Sequence, residues 1–142
     1  MATATSFAKF TCGFMALVFF VLACGILIDP TTVQKPHGLD FSKSRPSALA
    51  EIRAYYFGTM FVLAIQMAAG ATGEKATRRR ALLHCSILCG AFVFGRIVSL
   101  TLDGPPLNRH SDLTFLAEAL GSAYMLGLWW AEREPPARKK GH

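Results

Sequence analysis

The chain has 142 residues, 52% hydrophobic and only 17% charged, with a formal net charge of +6. Charge this sparse excludes an ordinary soluble domain. The basic residues flank apolar runs instead of lining a polar face, which excludes a nucleic-acid footprint, so no nucleic acid is expected as a partner.

Four apolar runs, residues 7–28, 48–71, 81–102 and 113–131, each come close to the 20 or so residues that cross a bilayer. They consume most of the chain and leave no length for a separate soluble domain. The expected fold is therefore all-α, a four-transmembrane-helix bundle over residues 1–134 with a basic tail at 135–142.

The first run resembles a signal-peptide core, but it is read as an uncleaved span. Asp29-Pro30 ends it, because proline disfavours helix in the residue before it. Residues 31–46 form a polar connection with two prolines, expected to lie across the outer mouth as a lid. In the second run, Glu51, Tyr55, Gly58, Val62, Ile65 and Ala69 share one helical face, with Arg53 roughly opposite.

The third run holds Cys85, Cys89, Phe92, Arg96, Ser99 and Asp103 at spacings of three and four, a narrow stripe. Asp103-Gly104-Pro105-Pro106 then signals a turn. In the fourth run, Ser111, Thr114, Glu118, Ser122, Met125 and Trp129 form a matching stripe, and Ser111 or Asp112 is placed to cap the helix. Trp129 and Trp130 fall at a boundary, where indoles favour the headgroup zone. Small residues recur every four positions at Ala50, Ala54 and Gly58 and at Ala119, Ala123 and Gly127, spacing that suits close helix contact within the bundle or docking to another protein.

Nine of the fifteen Lys and Arg lie in the N-terminus, the second connection and the tail, and four lie in the other two connections. The positive-inside rule then places both termini on the cytoplasmic, stromal or matrix side. The membrane is a bacterial inner membrane or an organellar one.

An arginine within an apolar run is expensive and normally faces a partner or a wet cavity. With that orientation, Arg96, Glu118 and Glu51 reach similar depths below the outer surface, with Asp103 at the rim. The expectation is a structural polar cluster or a small outer pocket built from Glu51, Tyr55, Arg96, Ser99, Asp103 and Glu118. Such a cluster would fix helix register, or hold a quinone head group, a lipid head group or a small anion. Cys12, Cys24, Cys85 and Cys89 all lie in apolar runs and read as packing residues, so neither a metal site nor a disulfide is expected. His84 is the best candidate for an axial ligand to a pigment or haem, and His110 lies in the third connection. No P-loop, dinucleotide fingerprint, zinc-protease motif or nucleophile elbow is present, so no catalytic residues are assigned.

Two segments carry a resemblance. Glu51-Ile52-Arg53-Ala54-Tyr55-Tyr56-Phe57-Gly58 resembles an E-x-R-x-x-Y-x-G element, and the stretch from Gly95 and Arg96 through Ser99, Asp103 and Gly104 to Pro106 resembles a G-R-x-x-S-x-x-x-D-G-x-P element. Both belong to an uncharacterised family of four-helix membrane proteins, common in bacteria and catalogued as a domain of unknown function. Glu118 matches the acid of that family's last helix. The resemblance implies a bundle similar in topology to DoxX-type membrane proteins and brings no activity with it. The function expected is that of a small accessory or structural subunit of a larger membrane complex, photosynthetic or respiratory, in contact with lipid and other membrane subunits. The alternative is a quinone- or redox-linked enzyme, or a lipid- or pigment-binding protein, using the outer pocket.

Overall fold

The computed structural model describes the backbone of residues 2–32, 50, 51, 53–102, 104 and 109–133. The elements are α1 (Ala2–Ile28), a 3-10 turn (Pro30–Thr32), a π turn (Arg53–Phe57) leading into α2 (Gly58–Thr72), α3 (Lys75–Leu102) and α4 (Arg109–Ala131). No strand occurs among the described residues. Three segments, Thr5–Ile28, Arg53–Thr72 and Lys75–Leu102, are long and apolar enough to cross a membrane. The fourth helix does not reach that apolarity, because Glu118, paired serines and two tryptophans dilute it.

The helices pair mainly in chain order. α1 packs along α2 and α3 along α4, and the two hairpins meet chiefly through α2 and α3. The inward edge of α1 is Ala8, Cys12, Phe19, Ala23 and Ile26. Their spacings of three, four and seven keep one stripe aimed at a neighbour. Leu63, Ala64 and Met67 of α2, Ala81, Leu82 and Cys85 of α3, and Met125 of α4 complete the core. The core is thin because most large apolar side chains, such as Phe10, Phe94 and Leu120, point away from the protein.

Gly70 fixes the closest approach. A methyl group there would sit 2.9 Å from the Ala81 Cβ and 3.2 Å from the Cys12 Sγ. Three helices converge at that point, and only a residue without a side chain fits between them.

The helices overrun the apolar runs. α3 starts six residues before its run, with Lys75, Arg78, Arg79 and Arg80 already helical. Hydropathy marks where a helix meets hydrocarbon, and not where its hydrogen bonds begin. α4 starts at Arg109, so Ser111 and Asp112 lie within its first turn and not before it. Asp29 accepts from the Thr31 amide at 2.9 Å and the Thr31 hydroxyl at 2.6 Å, an Asx turn that ends α1 as Asp29-Pro30 predicts. Gly104 has φ +88° just beyond α3, a left-handed position that glycine takes without strain and that stops the helix.

The expected inward face of the second helix needs correction. Leu63, Ala64, Met67 and Gly70 are buried, while Val62 and Ile65 are about half exposed at 52% and 54%. The face is displaced by about one residue. A straight-helix projection carries Glu51 and Tyr55 through to Ala69, whereas the π turn at Arg53–Phe57 widens the helix and rephases everything before it. Of the expected lid, residues 31–46, all but residues 31 and 32 lies outside the described residues, as does the basic tail, residues 135–142.

Candidate functional site

The seam between α3 and α4 carries most of the polar chemistry. The rung at the C-terminal end of α3 joins Arg96 to Glu118, with Nε donating to Oε2 at 2.7 Å and Nη2 to Oε1 at 3.1 Å. This is a bidentate guanidinium–carboxylate pair, the geometry that makes such bonds directional. Its side chains retain 30% and 18% of their exposure. The middle rung is reciprocal: Ser86 Oγ donates to the Ser122 carbonyl and Ser122 Oγ to the Ser86 carbonyl, both at 2.9 Å. Gly90 leaves room there, since an added methyl would lie 3.3 Å from the Ser122 Oγ.

The rung at the N-terminal end of α3 joins Arg78 to Glu132. Arg78 Nε donates to both carboxylate oxygens at 2.9 Å, and the side chains are only 2% and 1% exposed. Arg78 Nη1 also reaches the Gly73 carbonyl at 3.5 Å. Two charges this deeply buried are held by each other, because either alone would be stranded out of water. Arg78 and Arg96 are eighteen positions apart on α3, about 27 Å at 1.5 Å per residue. α4 is also tied to α1, through a 2.9 Å hydrogen bond between Thr11 and the Tyr124 hydroxyl and an edge-on contact of Tyr124 with Phe7. Just beyond the Arg78–Glu132 rung, the Arg133 guanidinium stacks 3.7 Å over Trp130 and 4.3 Å over Trp129, and Arg79 lies 5.4 Å from Trp129. These are cation–π contacts.

Of the residues read from the sequence, Arg96 and Glu118 are brought together. Glu51 and Tyr55 are exposed, as is Ser99, and no hydrogen bond joins them to the pair. Asp103 lies outside the described residues. Cys85 is buried and Cys89 half-buried, and all four thiols are free. Among the described residues no three His, Cys, Asp or Glu side chains are grouped to hold a metal ion. His84 is exposed and lines a groove between α2 and α3, away from the Arg96 pair.

Sequence reasoning counted Arg78 among the flanking charges and overlooked Glu132. The signal was present. Extending the α3 stripe back by two turns runs from Cys85 through Leu82 to Arg78, and extending the α4 stripe forward runs from Trp129 to Glu132. Both steps keep the spacing of three and four.

Fold and seam together define a small helical protein with three span-capable helices and a polar zip between its last two. The chain belongs to the family described as a domain of unknown function (DUF4345), which matches residues 7–131. No curated protein and no solved structure matches it.

Proposed function

We propose that this protein is a four-pass membrane subunit that builds or braces a larger membrane assembly, with both termini on the more basic, inner side. The carrying observation is the outer surface of α4. Ala123 is exposed, and a methyl group added at Gly127 would find nothing within 4 Å. Gly127 and Ala123 form a small-residue edge on the least apolar helix, and such an edge lets a second helix approach closely. Glu118 and Glu132 are meanwhile spent on internal ion pairs, which suits a structural part better than a catalyst.

In this reading the two ion pairs, about 27 Å apart, bracket a hydrocarbon core about 30 Å thick. Arg96 sits shallow enough to snorkel toward the outer surface. The Arg133–Trp130 stack lies at the inner headgroups, where indole and guanidinium are both at home. The redox-enzyme alternative receives less support, because Arg96 and Glu118 satisfy one another instead of facing an open polar pocket.

The test is the mass of the assembly after gentle solubilisation from its own membrane. The proposal expects a hetero-oligomer of fixed composition, dissociated by Gly127→Trp with the helical content intact. A solitary monomer would overturn it.

A further inference from the structure

We infer that the seam between the two helical hairpins binds one membrane-borne amphiphile bearing carbonyl oxygens next to a long apolar chain. The seam is a groove of about 640 Å³ along α2 and α3. That volume falls within the roughly 300–1,000 Å³ typical of small-molecule sites. Its walls are apolar, including Val62, Leu63, Ile87 and Leu88, and its polar groups sit at the two ends. Tyr55 and Thr59 lie at one end, Gln66 and His84 at the other.

The polar end requires an occupant with acceptors. Among the described residues neither Gln66 nor His84 makes a hydrogen bond. Both belong to segments long and apolar enough to span a membrane. An amide and an imidazole facing hydrocarbon there are costly unless something pairs with them. A bare hydrocarbon chain leaves them unpaired, and a carbonyl group supplies what their N–H groups lack.

The groove suits a slender occupant. From Tyr55 to Gln66 it runs about 16 Å along α2 and lies open along its length, a channel that a flexible chain can follow. His84 lies four residues beyond Arg80, about 6 Å further along α3. The carbonyl end therefore sits just inside the basic boundary, with the tail directed toward Tyr55. Two sources share this chemistry, a diacyl lipid with ester carbonyls and a quinone with ring carbonyls.

The experiment is native mass spectrometry of the full chain released from nanodiscs of phosphatidylcholine and phosphatidylglycerol doped with a long-chain benzoquinone. One amphiphile should remain bound per chain, and its mass identifies phospholipid or quinone; either supports the site. The double variant Gln66→Leu with His84→Leu, and separately Ala91→Trp to fill the groove, should each reduce the retained fraction at least about tenfold, the scale of one lost polar contact. Helical content measured alongside shows whether the bulky variant folds; if it does not, the two leucines, apolar and of similar size, decide alone. No retained amphiphile in the unmodified chain, or equal retention in the folded variants, overturns the inference. The groove involves no residue of α4. Loss of partner docking at Gly127 and loss of the amphiphile are therefore separable results.

Discussion

Arg78 and Glu132 are the most consequential pair of side chains in the molecule. Removing one partner strands a buried charge, which typically costs about 3–5 kcal/mol, whereas replacing both with apolar residues of similar size is often neutral. Arg78→Met or Glu132→Leu alone should therefore lower stability to denaturant in a detergent micelle by about that amount. The double variant should recover most of it, and equal losses in single and double variants would refute the assignment. The Arg96–Glu118 pair is less buried, so water and headgroups screen it and each single variant should cost clearly less than its Arg78–Glu132 counterpart. Ser86→Ala removes one of the two serine–carbonyl bonds and should cost about 0.6 kcal/mol, the average for polar contacts between membrane helices. At this scale the sequence was legible where a charge interrupted an apolar run. Arg96 and Glu118 stood out because nothing near them in the chain was charged. Arg78 did not, since it sits among Lys75, Arg79 and Arg80 and only its place on the stripe distinguishes it.

At the level of elements, packing turns on Gly70. Gly70→Ala forces a methyl into a 2.9 Å contact with Ala81 and should destabilise the bundle by about 1–3 kcal/mol, the usual cost of overpacking. Gly127→Ala should leave the isolated chain unchanged, because open space surrounds that position. Thermal unfolding of the two variants side by side separates an internal contact from an outward one. Spacing alone placed Cys85, Arg96, Glu118, Ser122 and Met125 on the facing sides of α3 and α4, although Phe92 and Ser99 of the α3 stripe are exposed. On α2 the projection missed the buried face by about one residue, and the π turn at Arg53–Phe57 further breaks the 100° step that linked Glu51 and Tyr55 to it. No apolar pattern announces a π turn, since its extra residue shows only in backbone hydrogen bonding.

For the whole molecule, two hairpins joined at the α2–α3 seam imply a stiff α3–α4 half and a looser junction. α3 and α4 share two ion pairs and a double serine bond, while a groove occupies much of the face between α2 and α3. Hydrogen exchange in a micelle should show slower exchange in the middle of α3 and α4 than at the N-terminal end of α2, and the reverse order would contradict this division. The membrane character and helical count were legible from composition and run length. The fourth helix fell short of the apolarity of the others for the same reason that makes it informative: its polar residues serve the seam.

The central claim is that opposite charges on α3 and α4 hold the bundle in register. Its most direct test is a charge-exchange cycle at the Arg96–Glu118 rung, with Arg96→Glu, Glu118→Arg and the two together, read as unfolding free energy in a bilayer mimetic. Each single reversal places like charges face to face and should destabilise the bundle strongly, and the exchanged pair should restore most of the loss. An exchanged variant no more stable than the sum of the two reversals would show that the charges do not act on one another, and the account would fail.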